Sequence, residues 1–131
     1  MVHATAHIGP ERMETRIQAG HHAIVADEPP GNGGQDAGPA PYDLLLAALA
    51  ACTAMTLRMY ADRKGWRIDS IDVDLRILGV AEGRHIKRTL TIAGPDAAGR
   101  ARLAEIAERT PVTLTLKQGI AIETTLVEQT A

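Results

Sequence analysis

The sequence predicts an α+β protein built from antiparallel sheets. Three observations lead to that class. Strand-like patterns come in runs, three before a long helix and two directly after it, and do not alternate strictly with helices. The breaks between the early strands are short, which suggests a meander. One helix is apolar nearly all round, which asks for cover on every side. A length of 131 residues suits one domain, 1–131.

The elements follow in chain order. Val2 to Ile8 is a short extended stretch that Gly9-Pro10 breaks. Met13, Thr15 and Ile17 alternate with Arg12, Glu14 and Arg16, the pattern of a half-buried strand. Gly20 punctuates, and Ala23 to Ala26 makes a third strand that ends at Pro29-Pro30. Residues 31–41, GNGGQDAGPAP, carry four glycines and two prolines and read as a loop without regular structure. It is either a flexible connection or a rim beside the helix it introduces.

A helix is predicted from Tyr42 to about Lys64, with Asp43 in its first turn where negative charge suits the dipole. Residues 44–55, LLLAALAACTAM, are apolar almost all round, so a partner chain is expected to cover one face. Arg58, Asp62, Arg63 and Lys64 return the helix to water, and Gly65 stops it. Ile71, Val73, Leu75 and Ile77 then alternate with Asp72, Asp74 and Arg76. Ile86, Leu90 and Ile92 alternate with Lys87, Thr89 and Thr91, and Ala81-Glu82-Gly83 joins the two strands as a hairpin. Asp96 is the expected N-cap of a second helix, with Ala101, Leu103, Ala104, Ile106 and Ala107 on its apolar stripe. Pro111 to Leu116 fits either a helical turn or a strand, and Ile120, Ile122, Thr124 and Leu126 read as a last strand.

Composition excludes several functions. Aromatics are 2% of the chain, so the core is aliphatic and base-stacking platforms are almost absent. Fourteen basic and sixteen acidic residues leave a net charge of −2, with no electrostatic footprint for nucleic acid. The stretch from Leu44 to Met55 looks too short to span a bilayer, and Met1 to Gly9 lacks the form of a signal peptide, so no membrane partner and a cytoplasmic location are expected. One cysteine rules out an internal disulfide. His21 and His22 point to opposite strand faces, His3 and His7 lack a third ligand, and His85 lies at the hairpin, so no metal site or other cofactor is expected.

Cys52 is the one thiol. A cysteine in mid-helix among Leu and Ala is usually an inert small hydrophobe, and reactivity would need a nearby cation. Leu45, Ala48, Leu49, Met55, Thr56 and Met59 share its face by helical spacing. That wall suits an apolar ligand or a dimer seam, with Leu49 and Met55 lining it. Thr53 and Thr56 are expected to bond back to carbonyls.

The segment GGQDAGPAPYDLLLAALAACTAMTLRMYADRKG, with the later E-R-x-P-V run at 108–112, resembles the signature helix and following segment of the OsmC/Ohr proteins. The resemblance implies an OsmC-like fold, with antiparallel sheets packed on a central buried helix in an intertwined homodimer. It also implies thiol-based stress defence, the reduction of organic hydroperoxides by two cysteines assisted by an arginine and a glutamate. Cys52 matches the peroxidatic cysteine. Thr110 stands where the second cysteine would be, so the resemblance is to a subgroup lacking it. The glutamate position is Tyr42, and the nearest acid is Asp43, about half a helical turn out of phase with Cys52. Arg12 is the best match for the arginine, with Arg16 as the fallback.

The implied activity is therefore a one-cysteine thiol peroxidase, resolved by an external thiol reductant and acting on a small apolar hydroperoxide. The alternative is a non-catalytic homodimer that binds a small apolar ligand at the subunit interface. A third reading is a structural dimer with an inert buried cysteine.

Overall fold

The computed structural model describes residues 1–129. These residues form two compact units, Met1–Ala48 and the chain from Leu49 onward.

The N-terminal unit is a three-stranded antiparallel meander, β1 (Ala4–His7), β2 (Thr15–Ala19) and β3 (His22–Ala26). Ile17 of β2 lies opposite Ala6 on one side and Ile24 on the other, so the apolar positions share a face. The glycine-rich loop is more ordered than its composition suggests. It opens with a single 3-10 turn at Pro30–Asn32, a piece of regular structure the sequence reading excluded. A Cβ at Gly34 would collide with the Glu28 carbonyl, and one at Gly38 with the Val25 carbonyl. Those glycines allow the loop to fold back closely on the end of β3.

The C-terminal unit holds most of helix α1 (Pro41–Lys64), the hairpin β4 (Ser70–Leu78) and β5 (His85–Ala93), and helices α2 (Ala97–Ala107) and α3 (Pro111–Gln118). Helix α1 ends as the sequence predicts. Gly65 is left-handed at φ 69°, its amide bonds the Asp62 carbonyl at 3.1 Å, and Trp66 N–H reaches Ala61 at 2.9 Å, a Schellman closure. The hairpin pairs nine residues with nine, setting Ile71 opposite Ile92, Val73 opposite Leu90 and Leu75 opposite Arg88. The Asp96 side chain caps α2 by accepting the Gly99 amide at 2.8 Å. Residues 111–118 resolve as a helix. Leu57, Ala61, Ile68, Leu103 and Ala107 form the core, with Ile71, Leu90, Ile92 and Trp66 against it. Ala101 and Ala104 of α2, expected on the apolar stripe, are exposed.

Within one chain α1 buries only Leu49, Thr53, Leu57 and Ala61, a single i, i+4 stripe, while Met55 and Met59 are 61% and 51% exposed. A chain this size supplies cover for one face only, which is why the sequence asks for a partner on the other. Two expectations are corrected. Taken whole, α1 has 24 residues and a mean hydropathy of 1.6 over an 18-residue window. By length and composition it is therefore long enough to cross a bilayer, although Leu57 and Ala61, with no exposure at all, serve here as core. Finally, Ile120, Ile122, Thr124 and Leu126 form no strand, and Ile122 and Leu126 are 88% and 90% exposed. Alternation marks a chain able to pair, but pairing needs a sheet edge.

Candidate functional site

Cys52 lies midway along α1, half-buried, between the packed stripe and the exposed one. Its sulfur lies 3.8 Å from the Thr56 hydroxyl, one helical turn on. It also accepts the backbone N–H of Val112 at 3.5 Å. Val112 is the second residue of α3, and its amide is one of the orphan donors that every helix start leaves open. Thr110, the N-cap, makes no side-chain cap bond, and Pro111 has no N–H. The cysteine sulfur takes the place of the capping oxygen.

Thr110 is fully buried, and its hydroxyl lies 2.6 Å from that of Thr113. The position matched to a second cysteine therefore sits two residues from the amide that touches Cys52. Thr53 bonds back to the Leu49 carbonyl at 2.7 Å, as expected, whereas Thr56 turns to the sulfur.

The residue that sequence reading missed is Arg88. Its side chain is 12% exposed. Nη1 donates to Thr53 Oγ1 at 3.0 Å and Thr113 Oγ1 at 2.9 Å. Nη2 donates to the Ala107 carbonyl at 2.8 Å and to Glu108 Oε2 at 3.2 Å. Lys117 holds the other oxygen of Glu108 at 3.1 Å. The hydrogen bond from that lysine acts most strongly on the Glu108 carboxyl; burial opposes it, and with the Arg88 hydrogen bond added the carboxyl is held below its usual range. The signal for Arg88 was present in the sequence. It falls in phase with Ile86, Leu90 and Ile92, so an arginine occupies an inward position of an alternating strand.

A cleft of about 880 Å³ adjoins this cluster, lined by Leu49, Ile86, Arg88, Leu90, Thr113 and Leu116 among others. Leu49 is buried there, while Met55, predicted to share its wall, is exposed. The aliphatic face read around Cys52 is thus divided between core and surface.

The other predicted residues lie in the N-terminal unit. Arg12, at the tip between β1 and β2, is exposed and left-handed at φ 54°. Its guanidinium donates to the Gly33 carbonyl. Arg16 is on the exposed phase of β2. Asp43 accepts the Ala40 amide at 3.0 Å and so fixes the start of α1. Tyr42 is 58% exposed. Asp27, which sequence reading did not single out, is 4% exposed and accepts the amides of Glu28, Gln35 and Ala37 at 2.8, 3.1 and 3.1 Å. Burial pushes its carboxyl up, but those three amides and the charge of Arg12 outweigh it and hold it below the ordinary range. Among the described residues no cluster of His, Cys, Asp and Glu could hold a metal.

The family model for OsmC-like proteins matches residues 33–125. This chain belongs to the OsmC-like family. Solved structures agree on the fold. An OsmC-like protein of Mycoplasma pneumoniae is 22% identical, with a TM-score of 0.71 over 92% of this chain and 89% of that one. An organic hydroperoxide resistance protein OsmC of Legionella pneumophila is 20% identical, with a TM-score of 0.68 over 89% of each chain. The organic hydroperoxide resistance protein OhrB of Bacillus subtilis is 19% identical, with a TM-score of 0.61 over 91% and 92%. No curated protein sequence matches this member of the family.

Proposed function

We propose that this OsmC-like protein is a one-cysteine thiol peroxidase that reduces organic hydroperoxides through Cys52. The observation that carries the reading is the amide of Val112 directed at the sulfur from the first turn of α3. An N–H donor there stabilises negative charge on sulfur, as a thiolate and as a sulfenate. The organic hydroperoxide resistance proteins of Legionella and Bacillus, which share the fold, support the substrate class.

The thiolate attacks one peroxide oxygen and the O–O bond breaks. The alkoxide leaves and takes a proton to become an alcohol, and Cys52 becomes a sulfenic acid. Thr110 has a hydroxyl where a second thiol would stand, so no internal disulfide forms. An external thiol attacks the sulfenic sulfur, releasing water and leaving a mixed disulfide. A second external thiol then restores Cys52. One hydroperoxide and two thiols thus give one alcohol, one water and one disulfide. By the resemblance Arg12 is the best match for the family's arginine, with Arg16 as the fallback; Asp43 is occupied with the helix start. The active form we propose is a homodimer. Exposed Met55 and Met59 on α1, and Ile122 and Leu126 in the tail, are the apolar surface that a second copy would cover.

The purified protein with dithiothreitol is expected to consume cumene hydroperoxide, and Cys52→Ser to lose that activity. Equal consumption by both, or none by the wild type, sinks the proposal. Light scattering is expected to give twice the chain mass, and a monomer would remove the dimer. The cleft beside Leu49 favours one other reading, a binder of small apolar ligands. Stabilisation by a fatty acyl compound that survives Cys52→Ser, with no hydroperoxide consumption, would select it.

A further inference from the structure

We infer that Arg88 is a positioning residue for Cys52: its guanidinium clamps α1 to the first turn of α3 and so sets the Val112 amide against the sulfur. The inference rests on the reading of Cys52 as a reactive thiol and adds to it the residue that maintains its geometry.

Cys52 and Thr53 are successive residues of α1, and Val112 and Thr113 are successive residues of α3. Nη1 of Arg88 bonds Thr53 and Thr113, one residue along from the sulfur–amide contact on each helix. Nη2 bonds the last residue of α2, Ala107, through its carbonyl, and Glu108 just beyond. One planar group thereby joins the middle of α1, the end of α2 and the start of α3. All four Nη protons are engaged in these anchors, so the guanidinium acts through the helices and not on a substrate. The hydroxyls are arranged to receive it. Thr53 donates its own proton to the Leu49 carbonyl, which leaves its lone pairs for Arg88. Thr113 shares hydrogen bonds with Thr110 and Ala107 in the same way.

Helix α3 needs such a clamp. It has eight residues, and its N-cap side chain makes no cap bond. An isolated helix of that length does not hold its place by propensity. Lysine could not substitute, because a single ammonium lacks the two-pronged plane that spans three helix segments.

The test measures Cys52 itself in the full chain. Two second-order rates are read, alkylation by iodoacetamide and sulfenic acid formation with cumene hydroperoxide trapped by dimedone. The variants are Arg88→Met, Arg88→Lys and Thr113→Val, with Leu103→Ala as a core variant that loses stability without touching the clamp. We expect both rates to fall about tenfold or more in Arg88→Met and Thr113→Val, since an ångström of misplacement is worth up to about a hundredfold. Arg88→Lys is expected not to restore them, and Leu103→Ala to keep wild-type rates well below its melting temperature. Wild-type rates in folded Thr113→Val, or an equal fall in Leu103→Ala, overturn the inference. Should Arg88→Met fail to fold, Thr113→Val and Arg88→Lys decide it. If the wild type forms no sulfenic acid, the peroxidase reading falls, and the alkylation rates alone decide the clamp.

Discussion

Asp27 in the N-terminal unit and Arg88 in the C-terminal unit are both charged side chains withdrawn from water, yet they organise different things. The carboxylate takes three backbone amides from residues no more than ten positions away. The guanidinium takes hydroxyl, carbonyl and carboxylate oxygens from residues 19 to 35 positions away. An acceptor meets its donors on the main chain, so Asp27 shapes one loop. A planar donor meets oxygens from several elements, so Arg88 ties helices together. Losing the first should loosen a segment, and losing the second should weaken a unit.

The largest expected effect is therefore at Arg88. Arg88→Met should cost about 2–4 kcal/mol in urea unfolding, because hydrogen bonds to a charged group are lost and a buried carbonyl loses a partner. A loss no larger than that of a surface substitution would erase the contrast with Asp27.

Asp27→Asn should leave the C-terminal core intact while residues 31–38 become more open to protease and to amide exchange. Loss of protection in α2 instead would show that Asp27 is not a local device. The same residue has a pH signature. Folding holds its carboxyl below the ordinary value, so the unfolded chain binds the proton more tightly. Its contribution is complete above about pH 4 and is lost as pH falls through the depressed folded value. The unfolding midpoint should hold down to about pH 4 and drop as pH falls further in the wild type, and drop by less in Asp27→Asn.

The smallest effect on stability, and a sharp one on chemistry, is expected from Thr110→Cys. It tests the far end of the Arg88 cluster, where Thr110 meets Thr113. Hydroperoxide should then produce an intrachain disulfide with Cys52, read as loss of both free thiols and a faster non-reducing gel band. Continued dependence on external thiol without a disulfide would break the match of Thr110 to the second cysteine.

Periodicity was enough to read most elements of the fold. The β4–β5 hairpin, the Gly65 stop and the Asp96 cap are local matters, settled by neighbours a few residues apart. Cys52 and Thr110 were found by their resemblance to a family pattern. Arg88 was passed over because the alternation of Ile86, Leu90 and Ile92 was read for its apolar members, although the arginine stands in the same phase. Asp27 gave still less warning, since a carboxylate after a strand is ordinary until a loop folds onto it.

What the amino-acid order determined alone was the set of elements, the aliphatic core and the place of the thiol on α1. Those follow from side-chain period, caps and turn residues, which act within one or two turns of chain. Tertiary structure decided which side of α1 is core, which amide meets the sulfur and which cation spans the helices. It also left residues 119–129 without a strand to join. Each of these needs groups tens of residues apart to share one place, and a linear pattern carries no record of that encounter.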